Sequence, residues 1–237
     1  FAVNLKNNFD LNRDPNSYLP FVRTDINKYL VEGDSGIDSL FFERRGSISE
    51  NTHYRLYAGI LELMYSGIGA EFIIKPFKSR LAYGSTVNFL NKRGYKRDFE
   101  LDHYKVATGY LSLYYATPFY NYDLALHFGS YLAKDKGSTI EVRRSFDNGF
   151  SIGAFATFTN VSSADFGEGS FDKGIYFKIP FDSISKGSSK SSLSTLIRPI
   201  QRDGGQFLHN FRGKLWHDLR RVRYDSFGNN KKRMIPK

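Results

Sequence analysis

The feature that most constrains this chain is a period of two. In "YDLALHFGSYLA", Tyr122, Leu124, Leu126 and Phe128 fall on one face, with Asp123, Ala125, His127 and Gly129 on the other. Successive side chains of a strand point to opposite faces, so this alternation specifies a half-apolar β-strand. "GFSIGAFATFTN" repeats it, setting Phe150, Ile152, Ala154, Ala156 and Phe158 against Ser151, Gly153, Phe155, Thr157 and Thr159. In "STIEVRRSF", Ile140 and Val142 oppose Glu141 and Arg143. In "RLAYGSTVNFLN", Leu81, Tyr83, Val87 and Phe89 oppose Gly84, Thr86 and Asn88. "HYKVATGYLSLYYATPF" sets Leu111, Leu113 and Tyr115 against Tyr110, Ser112 and Tyr114. "HYRLYAGILELMYSG" reads as one less regular run, with Leu56, Ile60 and Met64 on the face of Glu62.

Short turn signals separate the runs: "ATPFYNYD", "KDKGS" and "FDNGF", the last with Asn148-Gly149 as a type I′ pair. Connections this tight make consecutive strands antiparallel neighbours. Between Arg55 and Arg202 the pattern predicts roughly nine strands of about 9–12 residues, long enough to span a bilayer when tilted. Residues 1–53 read as a polar N-terminal segment. In it "RTDINKYLVEG" predicts a short helix, with Thr24 as N-cap and Gly33 at its end. Residues 54–203 are the β-meander or barrel region. Residues 204–237 are a basic C-terminal segment, where Leu215, Leu219 and Val222 recur at helical spacing before a mobile end. "SISKGSSKSS" reads as a solvated loop.

Two environments suit long alternating strands. In a soluble sandwich the apolar faces meet in a core. In an outer-membrane barrel they face lipid, and the opposite faces line a wet lumen. Composition favours the second. There are 22 Phe and 16 Tyr among 237 residues, and Tyr occurs on both faces. Tyr114, Tyr115, Phe119, Tyr120 and Tyr122 cluster near strand ends, where an aromatic girdle belongs. The expected fold class is all-β: an antiparallel up-and-down meander forming an outer-membrane β-barrel or a large part of one, with a short helix near each end. No cysteine is present, so disulfides, thiolate metal sites and a thiol nucleophile are excluded. The net charge of +10 is concentrated in the C-terminal segment and comes with no RNA-binding signature, so no nucleic-acid partner is expected. The opening "FAVNLKNNFD" has neither a start Met nor a signal peptide, which reads as a mature form or a fragment.

Several stretches together resemble one family. They are "YLVEGDSGIDSL", "YAGILELMYSGIGAEFIIKPFKSRLAYG", "YKVATGYLSLYYATPFYNYDLALHFGSYLAKDKGSTIEVRRSFDNGFSIGAFATFTNV", "FGEGSFDKGIYFKIPFD" and "IRPIQRDGG", in order from Tyr29 to Gly205. The chain resembles the C-terminal portion of the YjbH-like exopolysaccharide/capsule biosynthesis family of outer-membrane β-barrel proteins. The resemblance implies an outer-membrane location and a part in exopolysaccharide or capsule export or assembly, as a passive passage or an accessory. It also implies that further N-terminal strands, absent from this chain, complete a wider barrel. The alternative is a non-channel scaffold that binds partners of the secretion machinery. An outer-membrane enzyme and a soluble β domain stand further back. The expected partners are outer-membrane lipid, polysaccharide, and periplasmic or outer-membrane export proteins.

The inward polar set supplies the candidate polysaccharide contacts: Glu62, Tyr110, Tyr114, Asp123, His127, Glu141, Arg143, Tyr176 and Lys178. Hydroxyl, carboxylate and guanidinium groups with aromatic platforms suit a sugar chain; the competing reading is mutual pairing that stiffens a wet interior. Asp123 and His127 share a face at i, i+4, an arrangement compatible with acid–base chemistry but more commonly structural. Glu168, Asp172 and Lys173 in "EGSFDKG" read either as a charged gate or as a structural turn, and Gly167, Gly169 and Gly174 favour the turn. "RPIQRDGG" reads as an anchor of the last strand, with Asp203-Gly204 turning the chain. No nucleophile–base grouping or zinc motif is readable, so no enzyme activity, catalytic residue, metal or cofactor is expected.

Overall fold

A computed structural model describes residues 18–33, 35–146, 148–166, 169–181, 192–200, 202–209 and 211–219. Ten strands form one sheet in chain order: β1 (Leu40–Ser49), β2 (Thr52–Ile60), β3 (Tyr65–Ile74), β4 (Leu81–Arg93), β5 (Leu101–Ala116), β6 (Tyr122–Ser130), β7 (Lys136–Ser145), β8 (Ser151–Thr159), β9 (Asp172–Pro180) and β10 (Ser192–Ile197). Each strand pairs antiparallel with its neighbour in sequence. The up-and-down meander is therefore as expected. Short helices lie near both ends, α1 (Ile26–Glu32) and α3 (Lys214–Asp218), with α2 (Ser163–Phe166) between β8 and β9.

The alternating rows separate as their sequence requires, with the apolar row turned outward. Leu124 is 39% exposed, Phe128 52%, Ile152 37% and Phe158 46%. Their polar neighbours Asp123, His127, Ser151 and Thr157 are buried. The sheet thus curls with its polar face concave. That face is filled by the chain's own ends: the segment before β1 and the segment after β10. Val22, Tyr29, Leu208 and Phe211 from those ends pack against Tyr57, Leu90 and Val106 of the strands. Leu215 and Trp216 pack against Ile73, Ala82, Tyr114 and Ala125.

Several details correct the sequence reading. The sheet is not closed: its order runs from β1 to β10, and these two strands do not pair with each other. Described residues between 198 and 219 pack against the concave face. β1 lies within residues 1–53, the polar segment in which the sequence predicts only a short helix before the meander, because "LFFERRGSIS" alternates only weakly. "HYRLYAGILELMYSG" is not one run. The chain reverses at Leu61–Met64, a turn without Gly or Pro, where the Leu61 and Glu62 N–H groups donate to the Tyr65 carbonyl and the Tyr65 N–H donates to that of Glu62. Glu62 accordingly sits in a turn, and Ile60 and Met64 are buried while Leu56 is exposed. Asp25, not Thr24, holds the N-cap position of α1, because the Thr24 hydroxyl is bonded to Asp203 instead.

The type I′ turn lies elsewhere than expected. Tyr120 and Asn121, both at positive φ, carry it between β5 and β6, closed by the Tyr122 N–H to the Phe119 carbonyl. At the predicted site the Gly149 N–H bonds the Phe146 carbonyl, and the Phe146 N–H bonds that of Phe150. Gly149 at φ +86° closes that longer loop as its left-handed last residue. Tyr114 leaves the proposed girdle as well: it points inward and stacks on Trp216.

Candidate functional site

The concave face is built from charges contributed by separate strands and matched in pairs. The register sets Asp123 of β6 directly opposite Arg143 of β7, and the guanidinium donates to the carboxylate at 3.0 Å. His127 instead shares a 2.7 Å hydrogen bond with Ser112 of β5. Along a strand, i and i+4 lie about 13 Å apart, so Asp123 and His127 serve different partners. Glu141 accepts from the Tyr176 hydroxyl at 2.5 Å. Tyr176 reaches it across β8 because Gly153 has no side chain; a Cβ there would meet the Tyr176 ring at 2.3 Å. Gly69 plays the same part for Tyr57, whose hydroxyl donates to Asn88 across β3.

The segment after β10 completes the pairing. Arg198 approaches Asp172 at 3.5 Å, and Arg212 approaches Glu141 at 3.9 Å. Arg212 also donates to Thr139 and lies 3.7 Å from the Phe207 ring centroid. Trp216 stacks on Tyr114 at 5.1 Å with the planes 14° apart. The Leu215 N–H donates to Glu71 at 3.0 Å. Glu71 also faces Arg55, whose guanidinium bonds Glu43 and lies 4.7 Å from both the Tyr57 and Phe211 rings. Glu62, in its turn, pairs with Arg23 and accepts the His209 N–H at 3.0 Å.

One carboxylate ties the two terminal segments together. Asp203 accepts the backbone N–H groups of Val22, Arg23 and Thr24 and the Thr24 hydroxyl, at 2.7–3.0 Å. The turn in "RDGG" therefore acts as a latch on the N-terminal segment, and Pro199 follows immediately on the strand end at Ile197. Asp135 receives the Gly205 N–H at 2.7 Å, which fixes the same segment to the β6–β7 turn.

The expected lumen set thus shares one face, but as an occupied surface. Glu62, Asp123, His127, Glu141, Arg143 and Tyr176 all have protein partners. Tyr110 is buried edge-on to Tyr131. Lys178 is exposed near the end of β9. Asp172 is buried, while Lys173 folds back onto the Gly169 carbonyl and over the Phe171 ring, as a structural turn requires. Glu168 and Val222 lie outside the described residues. Reasoning from sequence passed over Arg55, Glu71, Arg198, Arg212 and Trp216. Arg55 was recoverable, since it shares the inward row of β2 with Tyr57.

His209 lies among the arginines of this interior. Burial, then Arg23, Arg198 and Arg212, hold its imidazole well below the usual histidine range. The unfolded chain takes up a proton near pH 6.5 that the folded chain refuses. Stability is therefore complete above about pH 6.5 and falls below it, by at most about 1.4 kcal/mol per pH unit from this group. His209→Gln is expected to reduce that slope by one proton in denaturation midpoints measured between pH 7 and pH 5. An unchanged slope would exclude His209 as the source.

No helix among the described residues is long and apolar enough to cross a membrane, which leaves strands untouched as spanning elements. Comparison with known proteins finds no matching solved structure. The chain is 37% identical over 215 residues to "Uncharacterized lipoprotein YjbH" of Escherichia coli (strain K12), an alignment covering 87% of this chain and 30% of that protein. The chain thus spans less than a third of the length of this relative. The family model described as "Exopolysaccharide biosynthesis protein YbjH" matches residues 1–220, and the chain belongs to this YjbH exopolysaccharide biosynthesis family.

Proposed function

We propose that the chain is the membrane-embedded sector of an outer-membrane β-barrel serving exopolysaccharide export or assembly, and that it acts as an accessory rather than an open passage. The observation that carries this reading is the outward apolar surface. Following the register across β4 to β10, Leu81, Tyr115, Leu124, Val142, Ala154, Ile175 and Ile197 are lateral neighbours without a polar interruption. Soluble monomers rarely expose an apolar band of that extent. A bilayer covers it, and the hydrogen-bonded strands satisfy the backbone there. All strands but β10 have 9 residues or more, matching the length needed for a tilted crossing.

Two further observations shape the role. The concave face is filled by described residues before β1 and between 198 and 219, so a polysaccharide reaches Tyr110, Tyr114 or Glu141 only if the latter segment moves. This favours an assembly or partner-binding part over free conduction, without a chemical step of its own. Among the described residues the outer edges of β1 and β10 have no strand beside them and offer backbone groups to further strands. The E. coli relative, over three times the length matched, has sequence to supply such strands. That relative is named a lipoprotein, which supports a place in the cell envelope.

The absence of cysteine makes the test direct. Spin labels at Phe128→Cys and Val142→Cys, in chain reconstituted into bilayers, are expected to be accessible to oxygen and shielded from a water-soluble nickel complex. A label at Ser112→Cys is expected to be immobile and shielded from oxygen. Nickel access at the outward sites equal to that of an exposed loop would defeat the membrane reading.

A further inference from the structure

Arg144 is out of place in the outward row. Residues Ile140, Val142 and Arg144 share that face of β7, and Arg144 stands at its penultimate position. Its guanidinium carbon lies 5.8 Å from the Tyr120 ring centroid, 5.6 Å from that of Tyr122 and 4.6 Å from that of Phe146. These rings come from the β5–β6 turn, the start of β6 and the end of β7, so three separate positions converge on one cation. No carboxylate among the described residues pairs with it. The neighbouring turn at this rim adds the exposed Lys78, and Arg80, which donates to the carbonyls of Ala116 and Thr117 at the foot of the β5–β6 turn.

We infer that Arg144 and its aromatic ring form a binding site for the anionic phosphate of a membrane headgroup. The inference rests on the membrane reading above and specifies what the rim of the apolar band touches. An arginine is costly at bilayer mid-depth and nearly free at the interface, where aromatic residues also collect. The faces of Tyr120, Tyr122 and Phe146 stabilise the cation electrostatically while leaving its in-plane N–H donors available. Those donors match two phosphate oxygens in a fork, which a lysine cannot do. The ligand class is a phosphate monoester or diester on an amphiphile. Bisphosphorylated lipid A and phosphatidylglycerol are the two sources, and free phosphate is the control.

The test uses the full-length protein in neutral phosphatidylcholine nanodiscs. Insertion is read first, by heat-modifiable migration. Lipid A, phosphatidylglycerol and inorganic phosphate are then titrated against thermal midpoint. Wild type is expected to gain a saturable upward shift with at least one of the lipids and none with inorganic phosphate at equal concentration. Which lipid acts at the lower concentration identifies the source. Arg144→Gln is expected to insert normally and to need about tenfold more lipid for the same shift, the loss expected for a charge-assisted bond. Lys105→Gln, an exposed cation toward the opposite end of the sheet on β5, is expected to behave as wild type. Equal response of Arg144→Gln and wild type, or an equal shift with phosphatidylcholine, overturns the site while leaving the membrane reading intact. Failure of wild type to insert overturns both.

Discussion

Asp203→Ala is expected to release the N-terminal segment and to lower stability by roughly 4 kcal/mol. The carboxylate has four donors: three consecutive backbone N–H groups at Val22, Arg23 and Thr24, and the Thr24 hydroxyl. Truncation removes the acceptor and leaves the donors facing a buried gap, where each orphaned donor costs about 1–3 kcal/mol before water offsets part of it. Asp203→Asn keeps one carbonyl oxygen for the backbone donors, so its loss should be closer to about 1.5 kcal/mol. Urea unfolding in detergent, followed by Trp216 fluorescence, measures both. Equal losses in the two variants would show that charge, not the acceptor oxygen, holds the segment.

Arg55→Ala is the second large effect, expected at about 3–5 kcal/mol. Arg55 is buried between Glu43 and Glu71 and between the rings of Tyr57 and Phe211. Removing it leaves the Glu71 carboxyl in a closed interior without its cation and with only the Leu215 N–H in support. Glu43 is better placed, since Arg45 also pairs with it. Adding Glu71→Gln should therefore recover about half of the loss, because no buried carboxyl is then left without its cation. A double variant no more stable than Arg55→Ala would assign the cost to lost packing against the two rings.

The facing of the strands was legible because it is local. Leu124 against Asp123, or Ile152 against Ser151, follows from adjacent residues and the pleat alone. The direction of each face was also readable, since a row of Thr, His, Asp and Arg cannot be the dry side without partners. What escaped notice depends on distant residues. Glu71 meets Leu215 across 144 positions, and Asp203 meets Val22 across 181. No window of sequence contains both members. The turn at Leu61–Met64 escaped because three of its four residues are apolar and none is a turn-forming type; Leu61 and Met64 are buried there. The "RDGG" motif was recognised as an anchor, but its role as a latch required knowing which amides stood opposite.

The sheet and its filling place different demands on folding. Every ladder joins strands adjacent in sequence, and those from β1 to β8 close short loops that carry little entropic delay. The interior is the reverse. Its carboxylate latch joins residues 22–24 to residue 203, and Trp216 on α3 fills the space under β5. The first described segment of the chain therefore cannot settle until nearly the last has been made and delivered. The ladders thus need only neighbouring strands, whereas the filling of the charge-lined concavity needs both terminal segments together.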